Sequence, residues 1–160
     1  MISLIGFMGA GKSAVGKKLS KRLGITLIET DKEIEKRHGS IDRIFSEMGE
    51  KHFRKLESQI IRKIPANCII SAGGGAVLDK SNVAVLRRNL VIWLRASPKE
   101  IWKRTKGKRP LLKGKFSNIS KLLRKREKLY FNASDVIIDT DGRTAKSVAD
   151  GIAKIIGLIV

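Results

Sequence analysis

Lys12 and Ser13 close a glycine-rich stretch, Gly6-Phe7-Met8-Gly9-Ala10-Gly11-Lys12-Ser13, that fits G-x-x-x-x-G-K-[ST] at every fixed position. A lysine and a hydroxyl behind such a loop do phosphate chemistry. The glycines let successive backbone N–H groups curl around an anion. Lys12 would reach the β- and γ-phosphates of a nucleotide, and the Ser13 hydroxyl would ligate Mg²⁺. Context decides whether the motif is real. Met1-Ile2-Ser3-Leu4-Ile5 before it reads as a strand, and Ala14 to Leu23 after it as a helix whose N-terminus adds partial positive charge. A competing reading uses Gly9-Ala10-Gly11-Lys12-Ser13-Ala14 as a dinucleotide fingerprint, with Asp31 lying 20 residues past Gly11 as its acid. Gly6 and the Lys12-Ser13 pair have no task in that reading and are required in a P-loop, which is therefore preferred.

Further chemistry-bearing residues follow. Glu29 and Asp31 are spaced i, i+2 at the end of an apolar run, so both carboxylates can face one crevice. One would serve near Mg²⁺ and the other near an acceptor hydroxyl, and position alone does not say which; Asp31 would also serve as an N-cap. Gly73-Gly74-Gly75 follows another apolar run and leaves backbone N–H groups open to a small ligand. Arg126 lies seven residues after Ile119, four after Leu122, three after Leu123 and four before Tyr130, so it points inward with an apolar helical stripe. A buried guanidinium must meet an anion, either an internal carboxylate or a ligand's. Arg54 stands three residues before Glu57, and its plain reading is an exposed i,i+3 ion pair. His38 and His52 show no ligand or triad spacing and read as surface residues. Trp93 and Trp102 read as core.

The elements that must position these groups alternate strand and helix, which argues for a parallel sheet covered on both faces. Strands are expected at 26–29, 68–71, 91–94 and 136–138 besides the first, and helices at 12–23, 31–38, 41–48, 50–64, 82–88, 98–105, 118–130 and 145–156. Residues 31–64 carry three helices where one would connect two strands, an insertion suited to a second substrate. Residues 106–117 combine glycines, a proline and many basic side chains and read as a mobile lid.

The 160 residues form one domain, 1–160, with a full core. No apolar run reaches the ~18 residues of a membrane span, and no signal peptide is expected, because the loop begins at residue 6. Cys68 is the only cysteine, which excludes an intrachain disulfide. A cytoplasmic protein that does not act at membranes is expected. The net charge of +19 is concentrated: residues 87–128 hold 16 Lys or Arg against Glu100 and Glu127. Such a field steers anionic ligands, binds nucleic acid or simply solvates a face. Nothing here reads base edges, so no specific nucleic-acid partner is expected.

Taken in order, the chain closely resembles the shikimate kinase family. The resemblance rests on G-F-M-G-A-G-K-S, E-T-D, I-F-S-E-M-G-E-K-H-F-R-K-L-E, G-G-G-A, R-P-L-L and R-E-K-L-Y, and it covers nearly the whole chain. It implies a three-layer α/β/α fold of the P-loop nucleoside-monophosphate-kinase type, with a five-stranded parallel sheet in the order 2-3-1-4-5. It implies transfer of the ATP γ-phosphoryl to the 3-hydroxyl of shikimate with Mg²⁺, in the pathway to chorismate and aromatic amino acids. A monomer is expected. Gly9, Ala10, Gly11, Lys12, Ser13 and Ala14 are similar to the family's nucleotide loop. Asp31 is similar to the acid that activates the acceptor hydroxyl. Arg54, Gly74 and Arg126 match shikimate contacts, and Phe45 and Phe53 match apolar walls of that pocket. Arg109 resembles a lid arginine that reaches the ATP phosphates, and Arg143 matches a position near the adenine. The chain departs from the pattern at Glu29, where the family usually has Asp and uses it in the outer shell of Mg²⁺. Alternatives are another small P-loop kinase, acting on gluconate or a nucleoside monophosphate, and a basic nucleic-acid-binding protein with a vestigial loop.

Overall fold

The computed structural model describes residues 1–105 and 116–159. At its centre lies β1 (Ile2–Ile5), four residues all buried, as a strand covered on both faces must be. β1 pairs in parallel with β3 (Ile69–Ser71) and β4 (Leu90–Arg95), placing Ile2 opposite Ile69 on one side and Leu90 on the other. β2 (Leu27–Glu29) joins the far side of β3, and β5 (Val136–Asp139) the far side of β4. The order is β2-β3-β1-β4-β5, with helices on both faces, as the resemblance implied. Each strand falls within one residue of its expected bounds. The buried Ser3 is satisfied: its hydroxyl donates to Leu86 O at 3.1 Å and accepts from Asn89 Nδ2 at 2.9 Å.

The helices are α1 (Lys12–Leu23), α2 (Thr30–His38), α3 (Ile41–Arg62), α4 (Lys80–Leu86), α5 (Pro98–Thr105), α6 (Phe116–Ala133) and α7 (Ala145–Ile159). α1 packs on α7, α3 on α4, and α5 on α6. The insertion expected as three helices is α2 followed by α3. α3 is broken at Gly49, whose φ of 79° and ψ of 169° are unavailable to a continuing helix. α4 begins two residues earlier than expected, because the Asp79 carboxylate accepts from Ser81 N at 2.7 Å and caps it. Phe116 and Ser117, assigned to the end of the lid from sequence, are the first turn of α6. The remainder of that lid, including Arg109, lies outside the described residues.

Two apolar clusters result. The larger one fills the space between the sheet and its covering helices. A smaller one, Ile34, Ile44, Phe53, Leu56 and Ile60, joins α2 to α3. Among the described residues no helix is long and apolar enough to cross a membrane. Trp93 is buried and Trp102 packs against the main core, as expected; His38 is exposed and His52 half-buried. Burial pushes the Cys68 thiol up, which suits a packed, inert side chain.

Candidate active site

All five strands run the same way, so the residues after β1, β2 and β3 emerge at one edge of the sheet. This brings the glycine loop, Glu29-Thr30-Asp31 and Gly73-Gly74-Gly75 together. The loop backbone turns through left-handed conformations at Gly9 (φ 79°) and Gly11 (φ 98°), and α1 starts immediately behind it. The Lys12 ammonium is buried over the loop and donates to Gly6 O at 2.8 Å and Phe7 O at 3.0 Å. Ala10 is fully buried beneath the loop, while Gly9, Gly11, Lys12, Ser13 and Ala14 line a cleft of about 290 Å³.

Arg104, which no motif singles out, fastens this loop and lines the same cleft. Its Nη1 donates to Gly9 O and Ala10 O, each at 3.3 Å, and to Thr140 Oγ1 at 3.0 Å, while Nη2 donates to Thr140 O at 2.7 Å. The guanidinium thus ties the loop to the end of β5. Arg143 is exposed and bound to Asp139 O and Ser147 O, and it lines neither this cleft nor the next.

A second cleft, of about 340 Å³, adjoins the first, and both are lined by Met8, Ser13, Glu29, Asp31 and Gly74. Its remaining wall includes Phe45 and Phe53, whose ring centroids are 4.8 Å apart, together with Arg54, Glu57 and Arg126. Asp31 is not the N-cap of α2. Glu29 occupies that place without a side-chain cap bond, and Asp31 sits in the first turn. Asp31 lines both clefts from there. Glu29 forms an ion pair with Lys32 and lines both clefts together with Ser13. Burial opposes ionisation there, but the Lys32 and Ser13 side chains hold its carboxyl below the usual range.

Each of the three glycines is needed for a different neighbour. A Cβ on Gly73 would collide with Glu57 Oε1 and lie 2.7 Å from Asp31 Oδ1. One on Gly74 would press on Met8 N at 3.1 Å, and one on Gly75 would strike the Arg54 guanidinium. Close approach of charged side chains at Gly73 and Gly75, and of the P-loop backbone at Gly74, explains the run more than turn geometry. Thr30, unremarked in the sequence, fixes its start: the buried hydroxyl accepts from Gly73 N at 2.8 Å.

Arg54 does pair with Glu57, at 2.9 Å, but the pair is not the exposed one that spacing alone suggested. Glu57 is fully buried, and its Oε1 accepts no hydrogen bond from the described residues. Burial pushes the Glu57 carboxyl above the usual range, and the Asp31 charge adds to this against the pull of Arg54 and Arg126. Glu57 is thus a site residue that sequence reasoning passed over. The signal was present, since Glu57 lies between Leu56 and Ile60 of the apolar cluster. Arg126 is buried as its periodicity required, with Nη1 3.3 Å from Gly74 O and its guanidinium 5.8 Å from the Phe7 ring centroid. Among the described residues no carboxylate stands within ion-pair distance of it.

A nucleotide-phosphate loop opening into a cleft with two guanidinium groups, several carboxylates and an aromatic wall defines a P-loop phosphotransferase for a small anionic acceptor. The family model for shikimate kinase matches residues 8–157. A shikimate kinase of Caldicellulosiruptor bescii is 45% identical over 96% of this chain and 94% of its own, and one of Persephonella marina 41% identical over 94% and 95%. The structure of shikimate kinase from Acinetobacter baumannii in complex with shikimate superposes with a TM-score of 0.92 at 32% identity, covering 97% of this chain and 91% of that one. The chain belongs to the shikimate kinase family and is an ATP-dependent kinase.

Proposed function

We infer that the protein transfers the γ-phosphoryl of ATP to the 3-hydroxyl of shikimate, in the cytoplasm and as a monomer. One observation carries the assignment of roles: Arg54, Gly74 and Arg126 share one cleft with Asp31, and that cleft adjoins the phosphate loop. The acceptor's carboxylate would rest against the two guanidinium groups, whose forked donors match it. Phe45 and Phe53 would cover the ring. The acceptor hydroxyl would then lie at Asp31, which orients it and takes its proton as the new P–O bond forms and the bond to the β-phosphate oxygen breaks. The loop N–H groups and Lys12, drawn from the Gly6 and Phe7 carbonyls, would hold the phosphates, and Arg109 would complete the shell from the lid.

Oxygen donors suit magnesium, which takes one or two protein ligands and keeps the rest as water and phosphate oxygens. The Ser13 hydroxyl and the Glu29 carboxylate, which line the same clefts, fit that demand, with Ser13 as direct ligand and Glu29 in the outer shell. Among the described residues no cluster of three His, Cys, Asp or Glu offers an all-protein metal site. Bound there, the ion would neutralise charge on the transferring phosphoryl. The test is ADP release with Mg·ATP and shikimate, gluconate or nucleoside monophosphates side by side. Release with shikimate alone is expected, and release only with another acceptor overturns the reading.

A further inference from the structure

The Gly74 carbonyl carries two hydrogen bonds, from Arg126 Nη1 and from the Tyr130 hydroxyl. A carbonyl oxygen has two lone pairs, and both are thereby used. The two donors stand one turn apart on the same face of α6, and both are buried. The phenol ring is stacked on Trp93 of β4 with centroids 5.7 Å apart, so the hydroxyl is held by the sheet as well as by its own helix. Burial pushes the Tyr130 hydroxyl up to about 12, which keeps it a proton donor throughout the working range.

We propose that Tyr130 is a positioning residue for the acceptor: it tethers the Gly74 carbonyl to α6 and so fixes the spacing between the Gly74 backbone and the Arg126 guanidinium. The inference rests on reading Gly74 and Arg126 as the acceptor's contacts. Its logic is one of divided labour. Arg126 has five N–H donors and spends one on Gly74 O. When a carboxylate arrives, the guanidinium must turn toward it, and its long bond to Gly74 O is the one it can most readily release. Tyr130 does not line the cleft and has no ligand to turn toward. It keeps the carbonyl satisfied while Arg126 moves, and it stops the glycine loop from following the guanidinium. Thr30 holds the loop at Gly73 N, and the tether at Gly74 O fixes the next residue.

Tyr130→Phe is the test, because it retains the ring stacked on Trp93 and removes only the tether. KM for shikimate and the equilibrium Kd for shikimate without nucleotide should both rise, by roughly 3- to 10-fold for one lost hydrogen bond. KM for ATP and kcat should stay within about twofold, because the nucleotide loop is held separately by Arg104. Amide hydrogen exchange should quicken at residues 73–76 and stay unchanged in β1 and β4. A lower Tm with unaltered shikimate KM and Kd would show a merely structural hydroxyl and overturn the proposal, as would unchanged exchange in the glycine loop. Failure of the wild-type protein to phosphorylate shikimate would sink the functional reading instead. The tether would then be decided by loop exchange alone.

Discussion

Replacing Arg126 by Ala should raise KM for shikimate far more than it lowers kcat. Two losses must be separated. Within the protein, the variant gives up a 3.3 Å bond to a neutral carbonyl that Tyr130 continues to satisfy, so about 1 kcal/mol of stability is at stake there. On the substrate side it gives up a desolvated charge pair, because the guanidinium is 3% exposed and faces a cleft. Truncating one partner of such a pair costs ~2–5 kcal/mol, or ~30- to several-thousand-fold in kcat/KM. The carboxylate is remote from the reacting hydroxyl, so the contact is nearly equal in ground and transition states and acts as uniform binding. Asp31→Asn is the contrasting variant. It keeps the size, loses the base, and should chiefly lower kcat, by ~10²–10⁴. Steady-state kinetics in both substrates, accompanied by thermal melts, make the assay. An Arg126→Ala enzyme with unchanged shikimate KM, beside an Asp31→Asn enzyme altered only in KM, would refute the division of roles.

Arg109→Ala should lower kcat by ~10²–10³, the scale of one lost contact to the transferring phosphoryl; equal losses on neutralising Lys113 and Lys115 together would mean a diffuse field instead. Glu57 should make stability fall as pH rises above its usual value of 4.5, because in that window the native state holds a proton that the unfolded chain has released. Glu57→Gln should flatten this fall in Tm, and an identical pH profile in the variant would show that Glu57 does not titrate as its burial requires. Binding of nucleic acid by the +19 surface should be insensitive to sequence and should collapse by about 0.2 M salt; selective binding that survives would count against it.

The strands and most helices were legible because periodicity and punctuation agree in this chain: apolar runs end at glycines or acids, and the Arg126 stripe has an unbroken helical period. What the sequence withheld were contacts between segments distant in the chain. Arg104 reads as one basic residue among many until the fold brings it to the Gly9 and Ala10 carbonyls. Thr30 sits inside the E-T-D stretch, but its role depends on Gly73, which is 43 positions away. Spacing identified the Arg54–Glu57 pair but misjudged its exposure, since i,i+3 geometry says nothing of what packs over it. The purpose of three successive glycines, to admit carboxylates, the P-loop backbone and a guanidinium at close range, is likewise visible only in three dimensions.

The small apolar cluster between α2 and α3 is disjoint from the core beneath the sheet. Cooperative units with fewer buried contacts open at lower free energy than the rest of a molecule. The wall carrying Phe45, Phe53 and Arg54 belongs to that lesser unit, whereas the phosphate loop is anchored to β1. On warming, the protein would therefore lose its grip on the acceptor while it could still hold nucleotide. Heat inactivation would begin as a failure of recognition, well before the sheet melts. Saturating acceptor would delay it by binding only the closed wall, which makes the substrate itself part of the enzyme's thermal protection.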